Sequence, residues 1–407
     1  MKLFAHAHAT HPDWRIALAL AAAQIEAQRS DPAGQHIRQP TLGWAYFSDH
    51  YAAHAQALLA ELQQRWPGVA WVGSTGVGLA ANGVEYFDEP ALVLMLGDLP
   101  REQFRVFSGA HPLSQASADF VASTAQVHAD GRVADLSELI ADMSARTATG
   151  YLFGGLASAR NQPLQLADGV FEGGLSGVAF GPQVALVSRV TQGCQPVGRV
   201  RRITECERNV VALLDGEPAL ECLLADLGVS GREPREALPR IRETLAGLSD
   251  GGDDVFSRPG QFGADTRVRH IVGIDPARGG VALGEEIEEG MQLAFCRRDT
   301  EAARRDLVRI CSEIREEIEP EALSVEAALA LQGASAEQAP HPARQIAGAI
   351  YVSCLGRGGP HFGAPSAEMA IIRRALGDVP LAGFFASGEI ARRHVYGYTG
   401  VLTVFPA

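Results

Sequence analysis

Two periods of apolar residues alternate along the chain, and the switch between them recurs in a fixed order. Residues 380–385 form an unbroken apolar run, the signature of a buried strand. The run stops at Ser387-Gly388, where glycine permits a sharp turn. A polar excursion over 389–398 follows, then a second strand at 401–405. Ahead of this pair, Met369, Ile372 and Leu376 repeat at helical spacing, with Ser366 as N-cap and Gly377 as the stop. Ahead of that helix, residues 346–354 read as another strand.

The same order appears near the N-terminus. A strand at 42–47 precedes a helix at 52–66, whose Leu58, Leu59, Leu62 and Trp66 share one face and which Pro67-Gly68 ends. A strand at 69–73 then enters the glycine-rich turn GSTGVG, and 92–96 closes the unit. Gly73 to Leu92 spans 19 positions, as does Gly383 to Leu402. A partial third copy is read in a helix at 136–146, a strand at 151–153, a turn at Gly154-Gly155 and a strand at 177–180. The pattern predicts an α/β fold of duplicated βαββ units, with mixed sheets covered by helices. Residues 100–132 read as a polar, irregular surface segment. The stretch 229–264 is richest in charge, glycine and proline and predicts a boundary. The domains are thus placed at 1–230 and 265–407, with 231–264 as linker or insertion. A second linker is read at 335–344. Between the linkers, Leu307, Ile310, Cys311, Ile314 and Ile318 form an apolar helical stripe.

With 407 residues and 46% hydrophobic content, the chain has enough apolar material for two cored domains. A net charge of −13 argues against nucleic acid and anionic lipid as partners. The longest apolar run, ten positions from Ile16 to Ile25, is too short to cross a membrane. Six cysteines without CxxC or zinc-ribbon spacing read as free thiols of a reducing, cytoplasmic compartment. Lys2 is the only lysine, which removes reaction classes that need an internal one: pyridoxal-phosphate enzymes, Schiff-base aldolases and Walker-type ATPases. No cofactor is expected.

Candidate chemistry sits at the strand ends. His6, His8 and His11 have a metal-binding composition, but an extended segment puts His11 off the face shared by His6 and His8, so a first strand is the simpler reading. In GSTGVG, Ser74, Thr75 and Gly76 offer hydroxyls and bare N–H groups that suit an anion or carboxylate; the alternative is a tight turn that needs glycine. Gly154 and Gly155 repeat that corner. Ser176 resembles a nucleophile elbow, but Val178 stands where GxSxG requires glycine. In the last unit Cys354, Arg357, Gly358, His361, Ser387, Gly388 and Glu389 all fall at strand ends, which converge in a βαβ arrangement. Three readings follow. Cys354 is a nucleophile with His361 or His394 as base and Glu389 orienting it. Alternatively, Arg357 takes a carboxylate and Glu389 an amine. In the third, Cys354 is a small buried hydrophobe and Arg357 an internal ion-pair partner.

At these residues the chain resembles the FIST family (F-box and intracellular signal transduction), with both its N-terminal and C-terminal domains, from about residue 40 to 405. The resemblance rests on WVGSTGVG, YLFGGLAS, QGCQPVG, VVALLDGEPA, EEGMQLAFCRRD, SCLGRG, the set Phe362, Gly363, Pro365 and Glu368, PLAGFFASGEI and YTGVLTVF, in that order. It implies a sensor module for small ligands, amino acids or their relatives, with no catalytic mechanism to transfer. Carried over position by position, SCLGRG places Cys354 and Arg357, and GEI places Glu389. The expectation is a small-molecule sensor that passes occupancy to a downstream protein which the sequence does not name. The alternatives are a thiol enzyme using Cys354 and a scaffold whose 307–318 stripe meets another protein.

Overall fold

The computed structural model describes residues 2–31, 35–114, 120–229, 234–250, 266–318 and 346–407. The 335–344 linker and, of the 231–264 stretch, residues 231–233 and 251–264 lie outside the described residues. Two compact units divide the chain: one of Met1–Thr191, Arg304–Val395 and Thr399–Ala407, the other of Gln192–Ala303 and Tyr396–Tyr398. Among the described residues the strands form four sheets in a mixed α/β fold.

Three copies of one βαββ unit build the first unit. In the first copy Leu42–Ser48 lies parallel to Ala70–Gly76 and antiparallel to the closing strand Ala91–Gly97. In the second, Thr124–Ala129 lies parallel to Tyr151–Leu156 and antiparallel to Leu175–Phe180. In the third, Ile346–Cys354 lies parallel to Leu381–Ala386 and antiparallel to Thr399–Pro406. The helices Ala55–Arg65, Leu136–Ala145 and Ala367–Leu376 make the crossovers that parallel pairing requires.

The copies are locked in a ring by short arms. Each arm leaves the second strand of its own copy and pairs with the second strand of another. Gly78–Ala81 of the first copy pairs with Leu381–Ala386 of the third. Glu389–Arg392 of the third pairs with Tyr151–Leu156 of the second. Gln165–Ala167 of the second pairs with Ala70–Gly76 of the first. The polar excursion after each second strand is therefore structural, because it supplies the hydrogen-bonding edge of a neighbouring sheet.

This ring explains three glycines. Gly73, Gly154 and Gly383 stand opposite Ala45, Val127 and Tyr351 on the parallel first strands. A Cβ on each would lie 1.9, 1.9 and 1.8 Å from the carbonyl oxygen of that partner. Strand backbones approach too closely there for any side chain. Gly73–Gly76 and Gly154-Gly155 are thus not turns; the strands Ala70–Gly76 and Tyr151–Leu156 run straight through them.

The segment expected to be irregular surface, 100–132, holds two strands, Phe104–Phe107 and Thr124–Ala129. The second is the missing first strand of the middle copy, which makes that copy complete. Its polar residues point inward. Trp44 Nε1 donates to Gln126 Oε1 at 2.7 Å, Gln126 Nε2 donates to Tyr46 Oη at 2.7 Å, and that hydroxyl sits 3.2 Å from His128 Nε2. Burial pushes the His128 imidazole down to about 3, so the ring is neutral. Of the 307–318 stripe, Leu307, Ile310, Cys311 and Ile314 have no exposed surface and Ile318 is half-buried, so the stripe offers no free apolar face for a scaffold. The histidine-rich start, Ala5–Thr10, is a strand paired to Ala91–Gly97.

In the second unit the pairings run round a closed ring of six antiparallel strands: Arg201–Glu207, Val210–Leu214, Gly280–Leu283, Arg267–Asp275, Leu245–Ser249 and Gln292–Arg298. Closure removes free sheet edges. Ile203, Val211, Leu248, Leu283, Leu293 and Phe295 fill its core with the helix Ala219–Leu227.

Candidate functional site

The residues of the third corner come together where Ile346–Cys354 and Leu381–Ala386 end side by side. Tyr351 and Ser353 alternate on one face of the first of these strands and aim at Glu368, in the first turn of the helix Ala367–Leu376. Tyr351 Oη donates to Glu368 Oε1 at 2.6 Å, and Ser353 Oγ lies 3.1 Å from both carboxylate oxygens. Arg357 Nε and Nη2 reach Glu368 Oε1 at 3.1 and 2.9 Å, Nη1 reaches the Thr191 carbonyl at 3.4 Å, and the guanidinium stacks 5.3 Å from the Phe362 ring. Arg357 and Glu368 have 0% exposure. Burial works against the guanidinium charge, but the Glu368 carboxylate holds its pKa above the ordinary range. Burial, then the Glu368 charge, pushes the Tyr351 phenol up.

Arg357 is therefore an internal ion-pair residue, and the expectation that it grips a ligand carboxylate is corrected. Its fork is already filled.

Glu85, on the strand Val84–Phe87 that pairs with the first copy's arm, closes the corner from outside. One carboxylate oxygen accepts the N–H groups of Glu368 at 3.0 Å and Met369 at 3.2 Å; the other accepts that of Gly359 at 3.2 Å. An acid at a helix N-terminus is favoured by the unpaired amides there. Ser366 stands at the N-cap position as expected, but it is left-handed (φ 58°) and makes no side-chain cap bond; its hydroxyl accepts from Glu85 N–H at 3.0 Å instead. Burial and the nearby Glu368 charge raise the Glu85 pKa, against the pull of the three amides.

Glu389 begins the third copy's own arm and has 0% exposure. Its Oε2 accepts the Thr399 hydroxyl at 2.6 Å and the Thr399 N–H at 3.1 Å. Oε1 is buried with no hydrogen-bond partner. Desolvation pushes the group up to about 8, against the Thr399 bonds, the Arg357 charge and the Cys354 thiol, so near neutral pH it holds its proton.

The other proposed positions are packed. Ser74 and Thr75 have 0% exposure; their hydroxyls reach the carbonyls of Thr75 at 3.1 Å and Leu164 at 3.4 Å. A methyl on Gly76, Gly155, Gly358 or Gly388 would meet a neighbouring atom within 2.5, 2.7, 1.9 or 2.8 Å. These corners are closed by packing and form no hollow at the glycines. Ser387 is exposed, with its hydroxyl 3.3 Å from the Ala157 carbonyl. Ser176 is buried and donates to Gln165 Oε1 at 2.7 Å.

Of the predicted set, the structure brings Cys354, Arg357 and Glu389 together and leaves Ser74, Thr75 and Gly76 as core of the first copy. Sequence reasoning gave no role to Glu368, Tyr351, Ser353, Thr399 and Glu85. The every-second-residue spacing of Tyr351 and Ser353 before a helix-start acid was the available signal.

The FIST N domain matches residues 41–217 and the FIST C domain residues 219–392. An uncharacterized protein of Mycobacterium tuberculosis is 29% identical over 422 aligned positions, covering 97% of both chains. An uncharacterized protein of Mycobacterium bovis is 28% identical over 415 positions, again covering 97% of both. FIST domains are associated with sensory roles in signal transduction. Among the described residues no helix is long and apolar enough to cross a membrane. The two domain matches together span most of the sequence, and the chain belongs to the FIST family.

Proposed function

We propose that the protein is a cytoplasmic sensory module that binds a small, amino-acid-like metabolite at the third corner and passes its occupancy to a downstream signalling protein. One observation carries this reading: Glu389 is wholly buried, with both Thr399 donors on one oxygen and none on the other. A buried acceptor without a donor costs about 1–3 kcal/mol, more when charged. A ligand ammonium supplies both the missing donor and the compensating charge. Cys354, which ends the strand Ile346–Cys354 at this corner, is half-buried. Arg357 and Glu368 hold the corner rigid and leave the ligand's amine to Glu389.

A thermal-shift screen with amino acids, their amides and their decarboxylated amines tests the reading. A ligand at 100 times its dissociation constant adds about 2.7 kcal/mol of stability. The hit carries an ammonium group, and Glu389→Gln removes its shift. Binding also displaces the Glu389 proton, so affinity rises with pH up to the carboxyl's titration near 8. A complete screen without a shift, or a hit whose shift survives Glu389→Gln, overturns it.

A further inference from the structure

We infer that the groove between the helices Thr300–Glu317 and Ala367–Leu376 binds a free, medium-chain alkyl carboxylate. The groove is separate from the third corner and uses none of the ligand contacts assigned there.

The two helices run side by side in the same direction. Arg304, near the start of the first, donates through Nη2 to the Phe362 carbonyl just ahead of the second. Arg315, near the end of the first, donates through Nη1 to the Ala375 carbonyl near the end of the second at 3.4 Å. Each helix turns its large apolar residues into the core, Leu307, Ile310 and Ile314 on one and Met369 and Ile372 on the other. Between their outer faces lies a cavity of about 710 Å³. Val308 lines it from the first helix, and Ala367, Ala370 and Ile371 line it from the second. Residues three and four apart share a helix face, so the two alanines keep a slot open along it. Val308 is 47% exposed, an apolar side chain left uncovered on the groove wall. Small-ligand sites are typically about 300–1,000 Å³ in volume and mostly apolar, with a few placed polar groups.

The charge along this groove has one sign. Arg304 and Arg305 line it, and among the described residues no acid does. Asp306, the next residue, is turned to Arg309 at 2.7 Å. Arg305 is exposed, and among the described residues it forms no ion pair. In a chain of net charge −13, two arginines beside an apolar slot favour an anionic head with an apolar tail. A guanidinium takes a carboxylate on two parallel N–H bonds. The same overall negative charge disfavours an anionic bilayer, so the occupant is a free single-chain carboxylate rather than a membrane lipid.

Calorimetric titration of the full chain with decanoate, kept below micelle formation, tests this. Saturable binding is expected, tightening about twofold or more for each CH₂ added from hexanoate through octanoate to decanoate. Decylammonium, with the same tail and the opposite charge, is expected to bind about tenfold or more weakly. This wild-type series needs no variant to fold. Arg305→Glu is expected to weaken decanoate about tenfold or more. Ala370→Trp, which fills the slot from an exposed helix position, is expected to remove binding. No saturable binding, equal affinities for decanoate and decylammonium, an affinity flat with chain length, or decanoate binding that survives Ala370→Trp overturns the inference. A wild-type dimer that Ala370→Trp splits, with no decanoate bound, also overturns it and gives the groove to a second copy of the chain. The amino-acid screen reads Glu389 and this titration reads Arg305 and Ala370, so either can fail without the other.

Discussion

Gly154→Ala is expected to destabilise the first unit by about 3 kcal/mol or more, with loss of folded protein at physiological temperature as the extreme outcome. The added methyl would sit 1.9 Å from the Val127 carbonyl oxygen and 2.9 Å from its carbon. The backbone there has φ 141°, outside the range that L-residues readily adopt. A flexible side chain moves aside at small cost, but here the obstacle is the backbone of a parallel strand paired across six positions. Separating the strands breaks that ladder and disturbs the third copy's arm on the other edge, where Ile390 pairs with Gly154. Gly109→Ala is the control, because a Cβ there meets nothing within 4 Å. Urea unfolding of both variants checks the claim. Equal midpoints would show that the strands are not held as closely as described.

Arg357→Leu is expected to cost about 3–5 kcal/mol, the penalty of leaving a buried carboxylate without its counter-charge. Glu368 keeps the Tyr351 and Ser353 hydroxyls but loses both guanidinium contacts. Exposed ion pairs contribute little, and the 0% exposure of both partners sets this pair apart. The double change Arg357→Leu with Glu368→Leu is expected to recover much of the loss, since buried pairs exchange for apolar residues at small net cost. A double mutant no more stable than Arg357→Leu alone would mean that Glu368 does not need the arginine. The same single variant, binding the screened ligand normally while less stable, would separate the structural role of Arg357 from the ligand-binding role of Glu389.

Apolar runs made most of the strand order legible. Residues 346–354 were placed to the residue, because both faces of that strand are buried and the run is continuous. Thr124–Ala129 escaped because Gln126 and His128 interrupt the apolar pattern, although both have 0% exposure and bond to Trp44 and Tyr46 inside. A polar residue in sequence does not reveal a partner 80 positions away. Glycine is ambiguous in the same way. Gly154 needs its conformation for a close backbone approach, but the partner strand that makes the approach is invisible locally, so a turn was the natural reading. Ser366 was read at the N-cap position it holds, but the side chain that satisfies the helix-start amides is Glu85, 283 positions earlier in the chain. In the candidate site, the residue types at the strand ends pointed to Cys354, Arg357 and Glu389. Their roles depended on burial, which converts Arg357 from a ligand clamp into the neutraliser of Glu368 and leaves Glu389 as the group with unmet capacity.

Glu389 is buried with an uncompensated oxygen, and its proton affinity reports on that burial. Its pKa is about 8 folded against 4.5 in the unfolded reference. The folded state therefore holds the proton more tightly, and this group's contribution is fully present below the unfolded value and lost as pH rises through 8. The measurement is urea-unfolding stability of wild type and Glu389→Gln at closely spaced pH values from about 4 to 9. The account predicts that wild type loses on the order of 5 kcal/mol relative to the variant across that window, with the loss ending where Glu389 has fully ionised. Parallel curves would mean that the carboxyl titrates normally in the folded protein, and the third corner would then hold no unmet charge for a ligand to satisfy.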